Sequence, residues 1–274
     1  MITKPPEARA DLLPRIAAAQ RAVTAQTGLL HREFGRAESR WKSDGTRVTP
    51  VDVAISENIF RDLAAEFPDD QYFSEESSNL TAPAPLTSRF AWVLDPIDGT
   101  NNFALGISHC AIALALVDRG QPVYGVVYDL SRRTLLQGGP GFGVRDGDRT
   151  AHVTTAAPRP ESLVGLHSPV DKALVPLADA VLGRFKVRAL GSATLHLAYV
   201  AAGLLDGAVD YNVKIWDLAA AIPLLRAAGG DICFLNGEQL PMRQFDLNMP
   251  RIVYVAGGPA MLAELKDLTR LGGG

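Results

Sequence analysis

The run Trp92-Val93-Leu94-Asp95-Pro96-Ile97-Asp98-Gly99-Thr100-Asn101-Asn102-Phe103 puts two carboxylates three residues apart on a stiff turn. Residues 90–94 are apolar and read as a buried strand that ends at Asp95. Pro96 keeps Asp95 out of the helical region, Asp98-Gly99 gives a sharp turn, and Thr100 can cap the helical turn that follows. Oxygen donors fixed in this way suit a hard cation such as Mg²⁺. The N–H groups of Gly99 and Thr100 can receive a phosphate. For an isolated D-x-x-D-G run, a surface Asx turn is the plainer reading. Further acids lift it here. Glu75, in Glu75-Glu76-Ser77, ends a short strand, and Asp217 follows Trp216 at the head of an alanine-rich helix. Alone, the first is an ordinary solvated turn and the second a helix cap.

Hydrophobic period and turn chemistry give the elements that must position these acids. Residues 7–34 form a helix with Leu12, Ile16, Ala19, Val23 and Leu30 on one face, and Pro14 marks a false start or kink. Residues 35–47 are polar and loop-like. Thr49-Pro50-Val51-Asp52 then opens a second helix with a cap, a proline at its first position and an acid at its third. Residues 72–77 are a short strand running into acids, and 78–88 a surface loop. Strands over 110–117 and 123–128 make a hairpin, and two shorter ones near 134–137 and 143–144 extend a largely antiparallel sheet. From residue 163 onward, strand-like and helical stretches alternate, which implies a mixed or parallel sheet covered by helices. Pro223, inside the helix that starts near Asp217, predicts a kink. The expected division is an α+β half over residues 1–155, carrying Glu75 and the Asp95–Thr100 run, and an α/β half over 156–274, carrying Asp217. The two form one structural unit.

At 274 residues the chain can bury a sizeable core, and 47% apolar with 21% charged residues is ordinary globular composition. A net charge of −3 argues against a nucleic-acid polymer or an anionic membrane as the main partner. No run approaches ~18 uninterrupted apolar residues. Pro5-Pro6-Glu7 stands where a signal peptide needs an apolar run, so the expected location is cytoplasmic. Cys110 and Cys233 are far apart in strand-like contexts and read as a reduced, buried pair.

Taken jointly, three segments resemble the magnesium-dependent, lithium-sensitive inositol monophosphatase family: Asp95–Phe103 as D-P-[IL]-D-G-T-x-N-F, Glu75-Glu76-Ser77, and Trp216-Asp217-Leu218-Ala219-Ala220. Gly191-Ser192-Ala193 is similar to its G-[ST]-A segment, and Lys42-Ser43 with Thr49 and Asp52 to its mobile N-terminal loop. The resemblance implies an α/β (α+β) chain with a layered αβαβα sugar-phosphatase fold, commonly a homodimer. It implies two to three Mg²⁺ ions, with Mn²⁺ as a substitute and Li⁺ or Ca²⁺ inhibitory. Glu75, Asp95 and the Ile97 carbonyl would hold one ion, and Asp95, Asp98 and Asp217 a second. A third, weaker ion would lie near Glu75, with Asp52 close by. Gly99 and Thr100 would take phosphate oxygens, with Asp98 and Asp217 also facing the substrate. Ala193 and Asp210 would meet sugar hydroxyls, at a position where inositol-specific relatives carry a glutamate in place of Asp210. The implied chemistry is hydrolysis of a small phosphate monoester by metal-activated water, oriented by Glu75 and Thr100, with inositol monophosphate the favoured substrate.

Other readings stay open. Relatives on this fold hydrolyse histidinol phosphate, fructose 1,6-bisphosphate or 3′-phosphoadenosine 5′-phosphate, and a degenerate, metal-stabilised regulatory protein is the non-enzyme alternative. No basic cluster stands in the motifs to favour a second phosphate. An EF-hand is excluded by spacing. Residues 139–143 read as a glycine-rich hairpin and not a phosphate loop. Ser77, His196 and Asp210 lack the nucleophile elbow a triad would need.

Overall fold

Large and small side chains alternate along two strands, Phe90–Asp98 and Ala111–Asp118, and the alternation decides what packs on each face. Phe90, Trp92, Leu94, Ile112, Leu114 and Leu116 point to one side, into a core shared with Leu12, Ile16, Val23, Leu30, Ile55 and Ile59. The latter belong to the helices Pro6–Glu33 and Pro50–Glu66. Ala91, Val93, Ala111, Ala113 and Ala115 point the other way and leave a shallow face. Three short helices sit on it: Ala193–Ala201, Ile215–Ala219 and Ala221–Ala227.

A computed structural model describes residues 6–42, 45–77 and 80–271. Ser43 of the expected N-terminal loop lies outside the described residues. The two strands above are central to a seven-stranded sheet that runs Arg149–Thr150, Gly143–Asp146, Thr134–Gly139, Gln121–Asp129, Ala111–Asp118, Phe90–Asp98, Gln71–Ser74. Every pair is antiparallel except the last. A second sheet runs Lys186–Arg188, Leu163–Leu166, Gly207–Val213, Ile252–Gly257, Asp231–Phe234; its first three strands are parallel and the rest antiparallel. The helices Val175–Arg184 and Pro259–Leu271 cover its outer face around Val164, Val209 and Val255. The layers are therefore helix, sheet, helix, sheet, helix, as the resemblance implies.

Four local features depart from expectation or sharpen it. The first helix continues through Pro14, because Leu12, Ile16 and Ala19 on either side are buried against the sheet and hold it across the missing hydrogen bond. The expected kink at Pro223 is a break at Ala220, between Ile215–Ala219 and Ala221–Ala227: Pro223 has no N–H to give the Ala219 carbonyl. Ala84–Pro85, inside the expected loop, pairs antiparallel with Gln244–Phe245, and Arg40–Trp41 pairs with Arg47–Val48. Cys110 is buried but Cys233 only half-buried, and both are free thiols. Among the described residues, no helix is long and apolar enough to cross a membrane.

The broken helix comes very close to the first sheet. A Cβ on Gly125 would lie 1.8 Å from the Ala220 carbonyl oxygen. Gly125→Ala is therefore expected to destabilise the protein by more than about 2 kcal/mol in chemical denaturation. Gly28→Ala, mid-helix with nothing within 4 Å of the new methyl, should instead stabilise by up to about 1 kcal/mol. Equal effects of the two would refute the close-packing account.

Candidate active site

The strand that carries Asp95 does not end there. It runs to Asp98, with Asp95 opposite Ala113 and Asp98 opposite Ala111, so Pro96 and Ile97 together face the single residue Ile112. Side chains three apart in a regular strand point to opposite faces; this bulge brings Asp98 back to the face of Asp95. Pro96 has no ladder hydrogen to lose, and the Ile97 N–H turns instead to Asp95 Oδ1 at 3.1 Å. Gly99 follows with φ +88°, where a Cβ would also meet the His109 carbonyl oxygen at 2.9 Å. Thr100 is the first residue of the short helix Thr100–Leu105 and not its cap. Its hydroxyl lies 2.9 Å from the Ile97 carbonyl oxygen and 3.2 Å from Asp52 Oδ1, donating toward both.

Asp217 comes from the middle helical layer. Its Oδ2 accepts the Lys214 N–H at 2.6 Å, which closes the first turn of Ile215–Ala219. Asp98 Oδ2 accepts the Ser192 hydroxyl at 2.5 Å and the Thr194 N–H at 2.7 Å, while the Thr194 hydroxyl donates to the Asp217 carbonyl oxygen at 2.8 Å. Residues 192–194 thus fasten Asp98 to Asp217. Carboxylate oxygens of Asp95, Asp98 and Asp217 lie within 4.8 Å of one another. Glu75, just past the strand Gln71–Ser74, opens onto the same cavity of about 490 Å³.

Four acids so close, and mostly out of water, resist ionising together. Burial, then the charges of Glu75, Asp98 and Asp217, hold Asp95 well above the usual carboxylate range. Burial, then Asp98 and Glu75, do the same to Asp217. Asp98 is raised by burial against its hydrogen bonds from Ser192 and Thr194. Burial pushes Glu75 up to about 7, although Lys42 opposes it. A hard, all-oxygen donor set with more negative charge than its surroundings balance fits a dication such as Mg²⁺, Mn²⁺ or Ca²⁺.

Of the residues singled out in the sequence, Glu75, Asp95, Ile97 and Asp98 line the cavity together with Gly99, Thr100, Ala193 and Asp217. Three do not. Lys42 stands behind Glu75, with Nζ 2.8 Å from Glu75 Oε1 and 2.5 Å from Glu76 Oε1. Burial disfavours the Lys42 ammonium, but the two carboxylates outweigh it and hold its pKa above the usual lysine range. Asp52 is buried, its Oδ2 taken by the Thr49 N–H at 2.7 Å and hydroxyl at 2.6 Å and its Oδ1 by the Thr100 hydroxyl at 3.2 Å. Burial raises it to about 6. Asp210 is also wholly buried and faces His167 and His196, not the cavity. The wall it was expected to form is made by His167, Asn212 and Arg251, which no motif marked.

The inositol monophosphatase family model matches residues 11–269. The chain belongs to the inositol monophosphatase family. It is 33% identical to an inositol-1-monophosphatase of Mesorhizobium japonicum over 219 residues, covering 77% of this chain and 81% of that one. It is 34% identical to the Nus factor SuhB of Pasteurella multocida over 202 residues, 72% of this chain and 74% of the other. Among solved structures, the extragenic suppressor protein suhB of Bartonella henselae superposes with a TM-score of 0.81 at 26% identity, over 93% of this chain and 98% of that one. A Thermotoga maritima IMPase does so with a TM-score of 0.81 at 25% identity, over 95% and 98%. The family is one of metal-dependent phosphoric monoester hydrolases, and this chain is a phosphatase of that class.

The carboxylate cluster sets a pH dependence for the metal-free protein. A carboxyl whose pKa is raised on folding binds its proton more tightly in the native state, so stability falls as pH rises through the native value. Asp52 at about 6 and Glu75 at about 7 place the loss between about pH 4 and about pH 7. Thermal unfolding in EDTA should therefore show a falling midpoint over that range, flattened by Glu75→Gln and by millimolar Mg²⁺. A midpoint that rises with pH in EDTA would contradict the cluster's electrostatics.

Proposed function

We propose that this protein hydrolyses the phosphate monoester of a small hydroxylated alcohol, with Mg²⁺ held by Glu75, Asp95, Asp98, Asp217 and the Ile97 carbonyl. The observation that carries the reading is the bulged strand, which turns Asp95 and Asp98 to one face within reach of Asp217. Bound there, the cations would neutralise the phosphate dianion and make water a competent nucleophile near neutral pH. The protein's own groups do the rest. The N–H groups of Gly99 and Thr100 take phosphate oxygens at the start of the short helix. Thr100 gives its hydrogen to Ile97 and Asp52, which leaves its oxygen to accept from a water in the cavity and hold it in line with the phosphorus. Glu75, on the cavity wall beside it, is the carboxylate placed to take up that water's proton, while Asp52 behind Thr100 holds the hydroxyl in place. No side chain needs to form a covalent bond to the phosphoryl group.

Inositol monophosphate is the reference ester, supported by relatives named inositol-1-monophosphatase. The burial of Asp210 counts against close inositol recognition, since the carboxylate expected to meet ring hydroxyls stands behind His167. Relatives named Nus factor SuhB match equally well, so likeness alone does not select a substrate.

Phosphate release should depend on Mg²⁺ and stop in EDTA. Asp95→Asn should lose at least ~10²-fold in kcat, because one carboxylate serves both proposed ions. Near-wild-type turnover of that variant at saturating Mg²⁺ would overturn the metal assignment. Thr100→Ala keeps every carboxylate and should lose ~10²-fold in kcat with Mg²⁺ affinity much less changed. If calorimetry finds metal binding lost in parallel, Thr100 is structural.

A further inference from the structure

The cavity wall facing away from the four acids is unexplained by the family motifs. His167, Asn212 and Arg251 line it, and Asp210 lies directly behind His167. Asp210 is wholly buried between two imidazoles, with Oδ1 3.5 Å from His167 Nδ1 and Oδ2 3.6 Å from His196 Nδ1. The N–H groups of Tyr211 and Asn212 also point at Oδ1, at 2.8 and 3.2 Å. His196 accepts the Leu190 N–H on Nε2 at 3.1 Å, so its hydrogen sits on Nδ1 and faces Asp210. The charge of Asp210 is thus consumed inside the fold: despite burial, its two histidines lower its pKa to about 2.

His167 is the link between that buried carboxylate and the cavity. Its Nδ1 faces Asp210, its Nε2 accepts an N–H of the Asn212 side-chain amide at 2.9 Å, and the Tyr211 ring stands edge-on with centroids 6.0 Å apart. The Tyr211 hydroxyl donates to the His167 carbonyl and fixes the backbone as well. Asp210 outweighs burial and raises the His167 pKa, while Arg251 is near enough to oppose it. The Arg251 side chain is exposed and makes no hydrogen bond or ion pair among the described residues. Together with Pro169 and Tyr211 it also borders the neighbouring depression, next to His167. Within the cavity this wall therefore offers a guanidinium and a carboxylate-backed imidazole, with no acid among the described residues beside them; Asp171 borders the depression on the other side of Arg251 and caps the Ala173 N–H. A cationic amine would be repelled there, and a neutral polyol could accept the guanidinium's hydrogen bonds but would leave its charge unbalanced. A negatively charged group takes both the hydrogen bonds and the charge of the guanidinium, and lies against the imidazole.

We propose that His167 and Arg251 form an anion subsite for the alcohol portion of the phosphate ester, with Asp210 as the residue that positions His167. The substrate is then an ester whose leaving alcohol carries a carboxylate or a second phosphate. This rests on the phosphatase reading above and narrows its substrate class.

The test measures kcat and KM of the whole protein with Mg²⁺ on matched esters: glycerol 1-phosphate against 3-phosphoglycerate, and fructose 1-phosphate against fructose 1,6-bisphosphate. The charged member of at least one pair should be preferred by ~10-fold or more in kcat/KM, chiefly through KM, and the pair that shows it tells carboxylate from phosphate. Arg251→Ala and His167→Gln should remove that preference, lowering the charged member far more than the neutral one, while Arg251→Lys retains part of it. Asp210→Asn should act in the same direction as His167→Gln. Equal or better turnover of the neutral members by the wild type overturns the subsite, as does an equal loss on both members in Arg251→Ala. Should no ester be hydrolysed, calorimetric titration of the same esters separates the two readings. Tighter binding of the charged member, lost in Arg251→Ala, keeps the subsite and overturns only the hydrolase. Equal binding overturns the subsite.

Discussion

Mutual repulsion among Asp95, Asp98, Asp217 and Glu75 is the constraint on which the rest of the structure depends. Each would be unremarkable in water. Together in a cavity, all four are raised above the ordinary carboxylate range by burial, and Asp95 and Asp217 further by one another's neighbours. A fold can hold such a cluster only if rigid elements fix each member independently. Asp95 and Asp98 are fixed by a central strand buried along its whole length, and Asp217 by a helix turn closed on its own carboxylate. Residues 192–194 then tie Asp98 to the Asp217 backbone. The restraint is covalent and hydrogen-bonded, so the charge is left for a ligand to balance.

Bringing Asp217 from the middle helices to acids on the first sheet needs a short distance between those layers. The small residues on the inner face of the sheet supply it: Ala91, Ala111, Ala113 and Ala115 lie under the helices, and at Gly125 even a methyl group would collide with Ala220. The break at Ala220 belongs to the same arrangement. Pro223 ends one helix and restarts another, so the Asp217 turn and the following helix can each settle on the sheet. The alanine-rich character of this region is thus part of how the site is assembled.

Much of this was legible in the sequence because it follows from local rules. The capping box at Thr49 and Asp52, the hairpin at 118–120, the periodic face of the first helix and the alternation after residue 163 all form as their patterns dictate. The Asp95–Thr100 run, Glu75 and Asp217 converge as the resemblance implies. What was not legible depended on contacts distant in the chain. A strand that stops at Asp95 and one that bulges past it have the same residues; only pairing with Ala111 and Ala113 separates them. The Ala84–Pro85 strand exists because Gln244–Phe245 lies beside it. His167, Asn212 and Arg251 belong to no motif, and the sequence carries no signal that would gather them.

Asp210 and Asp95 show how two buried carboxylates of equal charge come to serve opposite ends. Around Asp95 the protein supplies one backbone N–H from Ile97 and three further acids, so ionisation is opposed. Around Asp210 it supplies two backbone N–H groups and two imidazoles, so ionisation is favoured and the pKa falls. A buried charge compensated inside the fold has nothing left to offer a ligand, whereas one left uncompensated costs free energy until a counter-charge arrives. By that criterion the carboxylates at the strand bulge are the acids whose charge is left for a ligand to balance, and Asp210 is a support. Its influence reaches the cavity through His167, whose ring it holds in the wall beside Asn212 and Arg251.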